Sequence, residues 1–261
     1  MTPGGEPSVV LRRVPDVEAV ARTAAEELLR VAGQSVAERG SFALALSGGS
    51  TPRRLYALLA DPAASFRGRF PWDRTHVFFG DERPVPPDHP ESNFRMANEA
   101  LLRHVPVASV HRIHGEEADG AEAYQAELRQ FFGIAAGGPP PRLDLVLLGL
   151  GPDGHTASLF PGSAALAERN RWVVSPFVER LGTRRTSLTY PVLSRARSVV
   201  FLVSGAEKAG VLQRVLAPEP GTELLPAARV RPERGELLWI VDAPAAPEGG
   251  AAERLAEPSS I

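Results

Sequence analysis

Four times in this chain a short apolar run ends abruptly in a polar or glycine-rich loop. Phe42-Ala43-Leu44-Ala45-Leu46 runs into Ser47-Gly48-Gly49-Ser50-Thr51-Pro52, and His76-Val77-Phe78-Phe79 runs into Gly80-Asp81-Glu82-Arg83. The run from Leu143 to Leu148 breaks into Gly149 to His155, and Val199 to Val203 leads into Ser204 to Lys208. Short apolar runs of this kind, separated by helical stretches, specify strands of a mainly parallel sheet buried between helix layers. In an open parallel sheet the loops at the carboxyl ends of the strands converge on one crevice. The pattern therefore constrains the fold and the place of a site together.

The intervening segments supply the helices. Asp16 reads as the N-cap of an amphipathic helix to about Glu38, with Val17, Val20, Ala21, Ala24, Leu28 and Val31 on its apolar face. Further helices are expected from about Arg53 to Ala60, Asn93 to His104, Ala118 to Phe132 and Glu207 to Leu216. Val9 to Leu11 reads as a first strand and Leu238 to Val241 as the strand that closes the sheet. Val110 to Ile113, Trp172 to Val174 and Ser187 to Thr189 are shorter strand candidates, and Gly137 to Pro141 is a linker. With no internal repeat and no boundary, one α/β domain is expected over residues 1–243, followed by a mobile tail at 244–261 rich in Pro, Ala, Gly and Glu.

Composition narrows the function classes. A chain of 261 residues, 43% hydrophobic, builds a full core. A formal net charge of -2 gives no general attraction to nucleic acid or anionic membranes. Without cysteine there is no disulfide, thiolate metal site or thiol nucleophile. No apolar run reaches membrane-spanning length and the first residues lack the pattern of a signal peptide, so a cytoplasmic protein is expected. All but one of the 29 basic residues are arginine; the exception, Lys208, stands where a compact ammonium rather than a planar guanidinium is wanted.

The four loops carry the chemistry. Ser47 to Pro52 fits a phosphate cradle, with loop amides, hydroxyls and a helix N-terminus, and equally fits a tight strand-to-helix turn. It lacks the Gly-Lys-Ser/Thr of a P-loop and the GxGxxG of a dinucleotide fold. Lys208, at a strand end, can join such a phosphate site, and Arg185 can add a second cation, with Arg184 and Arg180 as competitors. Asp81 and Arg83 are expected at the sheet rim, either as an ion-paired loop entry or as contacts to sugar hydroxyls and an anion. His155 is the general acid–base candidate, delivered with Asp153 by a Gly-Pro-Asp-Gly turn to what reads as the start of a helix. Asp153 can orient the ring or act as a turn residue. Ser158 has no GxSxG elbow, and the other histidines show no metal spacing, so no metal or cofactor is expected.

Together the blocks LSGGSTP (46–52), FFGDERPVPPDHPESN (78–93), LDLVLLGLGPDGHTASLFPGS (143–163), RRTSLTYPVLSRA (184–196) and VVFLVSGAEKAGVL (199–212) resemble the 6-phosphogluconolactonase family. The resemblance implies a modified Rossmann-like sheet, shared with glucosamine-6-phosphate deaminases and ribose-5-phosphate isomerases. It implies hydrolysis of 6-phospho-D-glucono-1,5-lactone without metal or covalent intermediate. His155 would then activate water beside Asp153, while Lys208, Arg185 and the loop Gly48, Gly49, Ser50, Thr51 would bind phosphate and Asp81 and Arg83 would contact substrate. The implied partner is a small sugar-phosphate lactone, with no nucleic acid or membrane, for a monomer or weak homo-oligomer. The deaminase branch carries a Glu shortly after its histidine block, where this chain reads Leu159-Phe160-Pro161-Gly162. A sugar-phosphate sensor of this fold would bring a helix-turn-helix module, and only about 40 residues precede the Phe42 strand. Ser194 in PVLSRA stands where the family commonly has Asn.

Overall fold

The computed structural model describes residues 9–218 and 222–247. In chain order the elements are β1 (Val9–Val14), α1 (Val17–Arg39), β2 (Phe42–Leu46), α2 (Ser50–Ala60), α3 (Ser65–Arg69), β3 (Thr75–Phe79), β4 (Asp81–Glu82) and α4 (Asn93–Ala100). Then follow β5 (Ser109–Val110), α5 (Gly120–Phe131), β6 (Leu145–Gly149), β7 (Val173–Val174), β8 (Phe177–Val178), β9 (Thr183–Arg184) and β10 (Thr186–Leu188). The last are α6 (Tyr190–Leu193), β11 (Ser198–Val203), α7 (Ala209–Leu216) and β12 (Glu236–Asp242).

Seven strands form one parallel sheet in the order β1-β12-β11-β6-β2-β3-β5. Every residue of β2 and of β11 is buried, as the unbroken apolar runs require. The chain leaves β2 outward through β3 and β5, then returns to lay β6 on the other side of β2. From there it builds outward through β11 and β12 to β1. The order thus reverses between β2 and β6, and the crevice at such a reversal is where open α/β sheets hold ligands.

Local chemistry explains where elements begin and stop. Asp16 caps α1, its carboxylate accepting from the Ala19 amide at 2.8 Å, and Gly40 ends it in the left-handed conformation at φ 78°. Two buried tyrosines clamp strand ends. The Tyr56 hydroxyl donates to the Ser47 carbonyl at 2.8 Å and accepts from its amide at 3.0 Å. Tyr124 does the same for Phe79, at 3.0 and 2.9 Å. Burial pushes both phenols far above their usual ionisation range, so they remain donors.

Several sequence expectations need correction. No helix follows His155: Thr156 bridges back to Leu159, and Ala157 has φ 46°, a left-handed value that a right-handed helix cannot continue. Asp81 and Glu82 lie at the sheet rim directly after β3, as expected, but they are more than a loop entry. They form β4 of a second, antiparallel sheet, order β4-β10-β7, in which Ser187 faces Asp81 and Thr186 faces Glu82. β12 is an interior strand, because β1 pairs along its outer side. The expected Asn93–His104 helix breaks at Leu101 into a 3-10 turn, and the strand expected to run to Ile113 is only Ser109–Val110. Ala245 and Ala246 are buried, and the Ala245 amide donates to Asp242 at 3.0 Å. Packing therefore continues past Ala243, and residues 248–261 lie outside the described residues. Among the described residues no helix is long and apolar enough to cross a membrane.

Candidate active site

The loops after β2, β3, β6 and β11 enclose a cavity of about 380 Å³ at the β2/β6 reversal. Nine of the ten residues singled out from the sequence line it: Gly48, Gly49, Ser50, Thr51, Asp81, Arg83, His155, Arg185 and Lys208. The tenth, Asp153, is not on the wall but is bonded to His155, whose Nδ1 lies 2.5 Å from Asp153 Oδ1. The other Asp153 oxygen meets Arg180 at 2.7 Å. Burial raises the Asp153 pKa, but the hydrogen bond and charge of His155 more than offset that, and the carboxyl ends below its usual range. With Nδ1 occupied, Nε2 is the imidazole nitrogen left to exchange a proton.

His155 is held from three sides. Phe160 packs on the ring with centroids 4.3 Å apart, and the Arg180 guanidinium lies 4.7 Å above Phe160. Gly151 allows the ring its position: a Cβ there would overlap His155 Nδ1. On the facing wall Gly48 plays the same part, since a Cβ would overlap the Asn93 side-chain amide. Asn93 donates to the Asp81 carbonyl at 2.9 Å and to its carboxylate at 3.3 Å, while Ser158 donates to the other Asp81 oxygen at 2.6 Å. Asp81 is therefore a buried, hydrogen-bonded brace as well as part of the wall.

Charge in the cavity is unbalanced. Arg83, Arg180, Arg185 and Lys208 line it against one carboxylate, Asp81. Burial, then repulsion from Arg83, lower the Arg185 pKa, with Asp81, Glu91 and Glu82 opposing. Such a lining favours an anionic ligand. Ser47 Oγ is buried on this wall with no protein partner among the described residues. α2 begins at Ser50, after Gly49 at φ 112°, so its first turn faces the same space. Lys208 ends the turn before α7, and its loop is fixed from β12: Ser204 donates to Asp242 at 2.6 Å and the Gly205 amide at 3.1 Å. Among the described residues no cluster of three or more carboxylates and imidazoles is placed to ligate a metal ion.

Asn93, Ser158, Phe160 and Asp242 escaped the sequence reading as site residues, whereas Ser47 belonged to the expected phosphate cradle. Asn93 and Ser158 carry no local motif; they matter because β3 and β6 are brought together by topology. Arg180 stood as a competitor of Arg185, and both line the cavity.

Comparison with known proteins places this geometry. The profile of the family described as glucosamine-6-phosphate isomerases/6-phosphogluconolactonase matches residues 15–239. A 6-phosphogluconolactonase of Synechocystis sp. is 46% identical over 214 residues, 80% of this chain and 85% of that protein. That of Rattus norvegicus is 42% identical over 217 residues, covering 80% of each chain. The solved 6-phosphogluconolactonase of Trypanosoma cruzi superposes with a TM-score of 0.78 at 31% identity, covering 98% of this chain and 99% of the other. By profile, sequence and fold alike, the chain belongs to the glucosamine-6-phosphate isomerase/6-phosphogluconolactonase family.

Proposed function

We propose that the protein is a 6-phosphogluconolactonase, hydrolysing 6-phospho-D-glucono-1,5-lactone to 6-phospho-D-gluconate. The observation that carries this reading is the Asp153–His155 pair at the wall of a cation-lined cavity. Phosphate sits against Lys208, Arg185 and the first turn of α2, which turns the lactone carbonyl toward His155. Neutral His155 takes a proton from water at Nε2 as the oxygen attacks C1. Arg83 or loop amides stabilise the oxyanion. The imidazolium, paired with Asp153, then gives its proton to the ring oxygen as the C1–O bond breaks. Water is consumed, the ring opens, and His155 is returned neutral. Proton transfer of this kind contributes about 10²–10⁴-fold.

The lactonase branch is favoured over the deaminase branch because Leu159-Phe160-Pro161-Gly162, which follows the histidine block, holds no carboxylate and instead packs Phe160 on His155. One catalytic domain is part of the proposal, supported by a single contiguous apolar core. So are a cytoplasmic location and a monomer or weak homo-oligomer. The test is lactone hydrolysis by the purified protein, corrected for the spontaneous rate, with glucosamine 6-phosphate as the alternative substrate. Lactone turnover without deamination is expected; deamination alone would reverse the assignment. Lys208→Ala should raise KM by about tenfold or more with little change in melting temperature.

A further inference from the structure

The opposite, amino-terminal edge of the sheet carries a second cavity, of about 460 Å³, which shares no lining residue with the first. Arg39, Arg142, Arg195 and Arg197 converge on it against one carboxylate, Asp144. Asp144 directly precedes β6 and Arg197 directly precedes β11, while Arg39 is the last residue of α1. A five-residue strand separates the two cavities by roughly 16 Å along the sheet.

The protein leaves this charge only partly neutralised. One oxygen of buried Asp144 accepts from the Ala43 amide at 2.8 Å. The other meets Arg39 Nε at 3.1 Å and Arg197 Nε at 3.3 Å. Arg39 also pairs with exposed Glu38 outside the cavity. Among the described residues Arg142 reaches only a backbone carbonyl, that of Arg234, at 2.6 Å. Arg195 Nε is buried with no hydrogen-bond partner among the described residues. Burial and the surrounding arginines, Arg197 and Arg195 first, depress the pKa of Arg142. An arginine-rich composition explains why these residues are not lysine, but not why they converge where desolvation is costly.

Apart from Ser41, the remaining lining is apolar, chiefly Phe131, Phe132, Ile134, Pro139 and Pro140. A ligand that fits both halves is anionic at one end and flat or apolar at the other. The volume suits a small molecule. An adjoining cavity shares Pro140 and Arg195 and adds Arg169 and Arg229 against one carboxylate, Glu233, so a phosphate chain longer than two groups still meets a net excess of guanidinium groups. We infer that this cavity is a second anion-binding site, taking a nucleotide with its base on the apolar wall and its phosphates on Arg142, Arg195 and Arg197.

The test is calorimetric titration of the full-length protein with ATP, pyrophosphate and adenosine. One ATP should bind per chain, with pyrophosphate weaker and adenosine weaker still. Arg142→Gln and Arg195→Gln should each weaken ATP binding by about tenfold. Both should leave lactone kcat/KM within about twofold, and Lys208→Ala should leave ATP binding within the same range. If Arg195→Gln fails to fold, Arg142→Gln decides, since among the described residues Arg142 bonds only a carbonyl. Absence of ATP binding at about 5 mM, a weak limit for a built site, overturns the inference. So does ATP binding that Lys208→Ala abolishes, which places the nucleotide in the catalytic cavity. Pyrophosphate binding as tight as ATP overturns the nucleotide assignment. All three read binding rather than turnover, so they stand apart from the lactonase assay.

Discussion

The loop after β6 and the segment after β3 each place an acidic residue behind the wall of the same cavity, yet they use it in opposite ways. In the first, Asp153 is partly exposed, bonded to His155 and Arg180, and its pKa is lowered. In the second, Glu82 is buried beneath the wall and its pKa is raised by burial, although the Arg83, Phe94 and Asn93 amides and the Ser92 hydroxyl oppose that. One carboxylate pairs with an imidazole and a guanidinium; the other ties backbone. The difference teaches that charge in a strand-end loop signals chemistry only where its partner can itself change protonation.

The contrast is broken most severely at His155. His155→Ala should lower kcat by about 10²–10⁴-fold while leaving the melting temperature nearly unchanged; an active variant would remove His155 from the mechanism. Glu82→Ala should do the reverse. Three amides and a hydroxyl lose their acceptor, so unfolding free energy should fall by about 2–4 kcal/mol in denaturant titration.

The two carboxylates should also separate by pH. A lowered pKa means that the Asp153 contribution to stability is present above the usual carboxylate range, about 4, and is lost as pH falls through the folded value. A raised pKa means that the Glu82 contribution is present below that range and is lost as pH rises through the folded value. Urea unfolding of Asp153→Asn should therefore show a flatter acid limb, and that of Glu82→Gln a flatter rise-side limb. Identical changes in the two variants would erase the distinction. The smallest effect belongs to Arg180→Ala. Its exposed pair with Asp153 and its contact with Phe160 should be worth only a few-fold in kcat/KM and under about 1 kcal/mol of stability.

These features were unequally legible in the sequence. β2, β6 and β11 announced themselves because strands buried on both faces must be apolar throughout. His155, Lys208 and the 47–52 loop followed, since they come directly after such strands. β7 and β10 showed only as the short candidates Trp172–Val174 and Ser187–Thr189, and β4, two acidic residues, has no periodicity to mark it. The support that Ser158 gives Asp81 spans 77 residues of sequence and exists only once β6 and β3 flank β2, while that of Asn93 spans 12 and closes the connection from β3 to α4. Asp242 holds the Lys208 loop for a similar reason: the register pairs Val203 with Val241, setting Asp242 beside Ser204. The helix expected after His155 failed on Ala157, whose left-handed backbone no propensity rule assigns to alanine.

The overlap between a Cβ at position 151 and Nδ1 of His155 bears on how such an enzyme can change. Every amino acid other than glycine brings that atom. A library randomised at position 151 should therefore yield a single active genotype, while Phe160 beside it, which makes only a packing contact with the ring, leaves several alternatives open. Variation in this cavity is then to be sought in residues that border His155, because the imidazole in this position and its glycine go together.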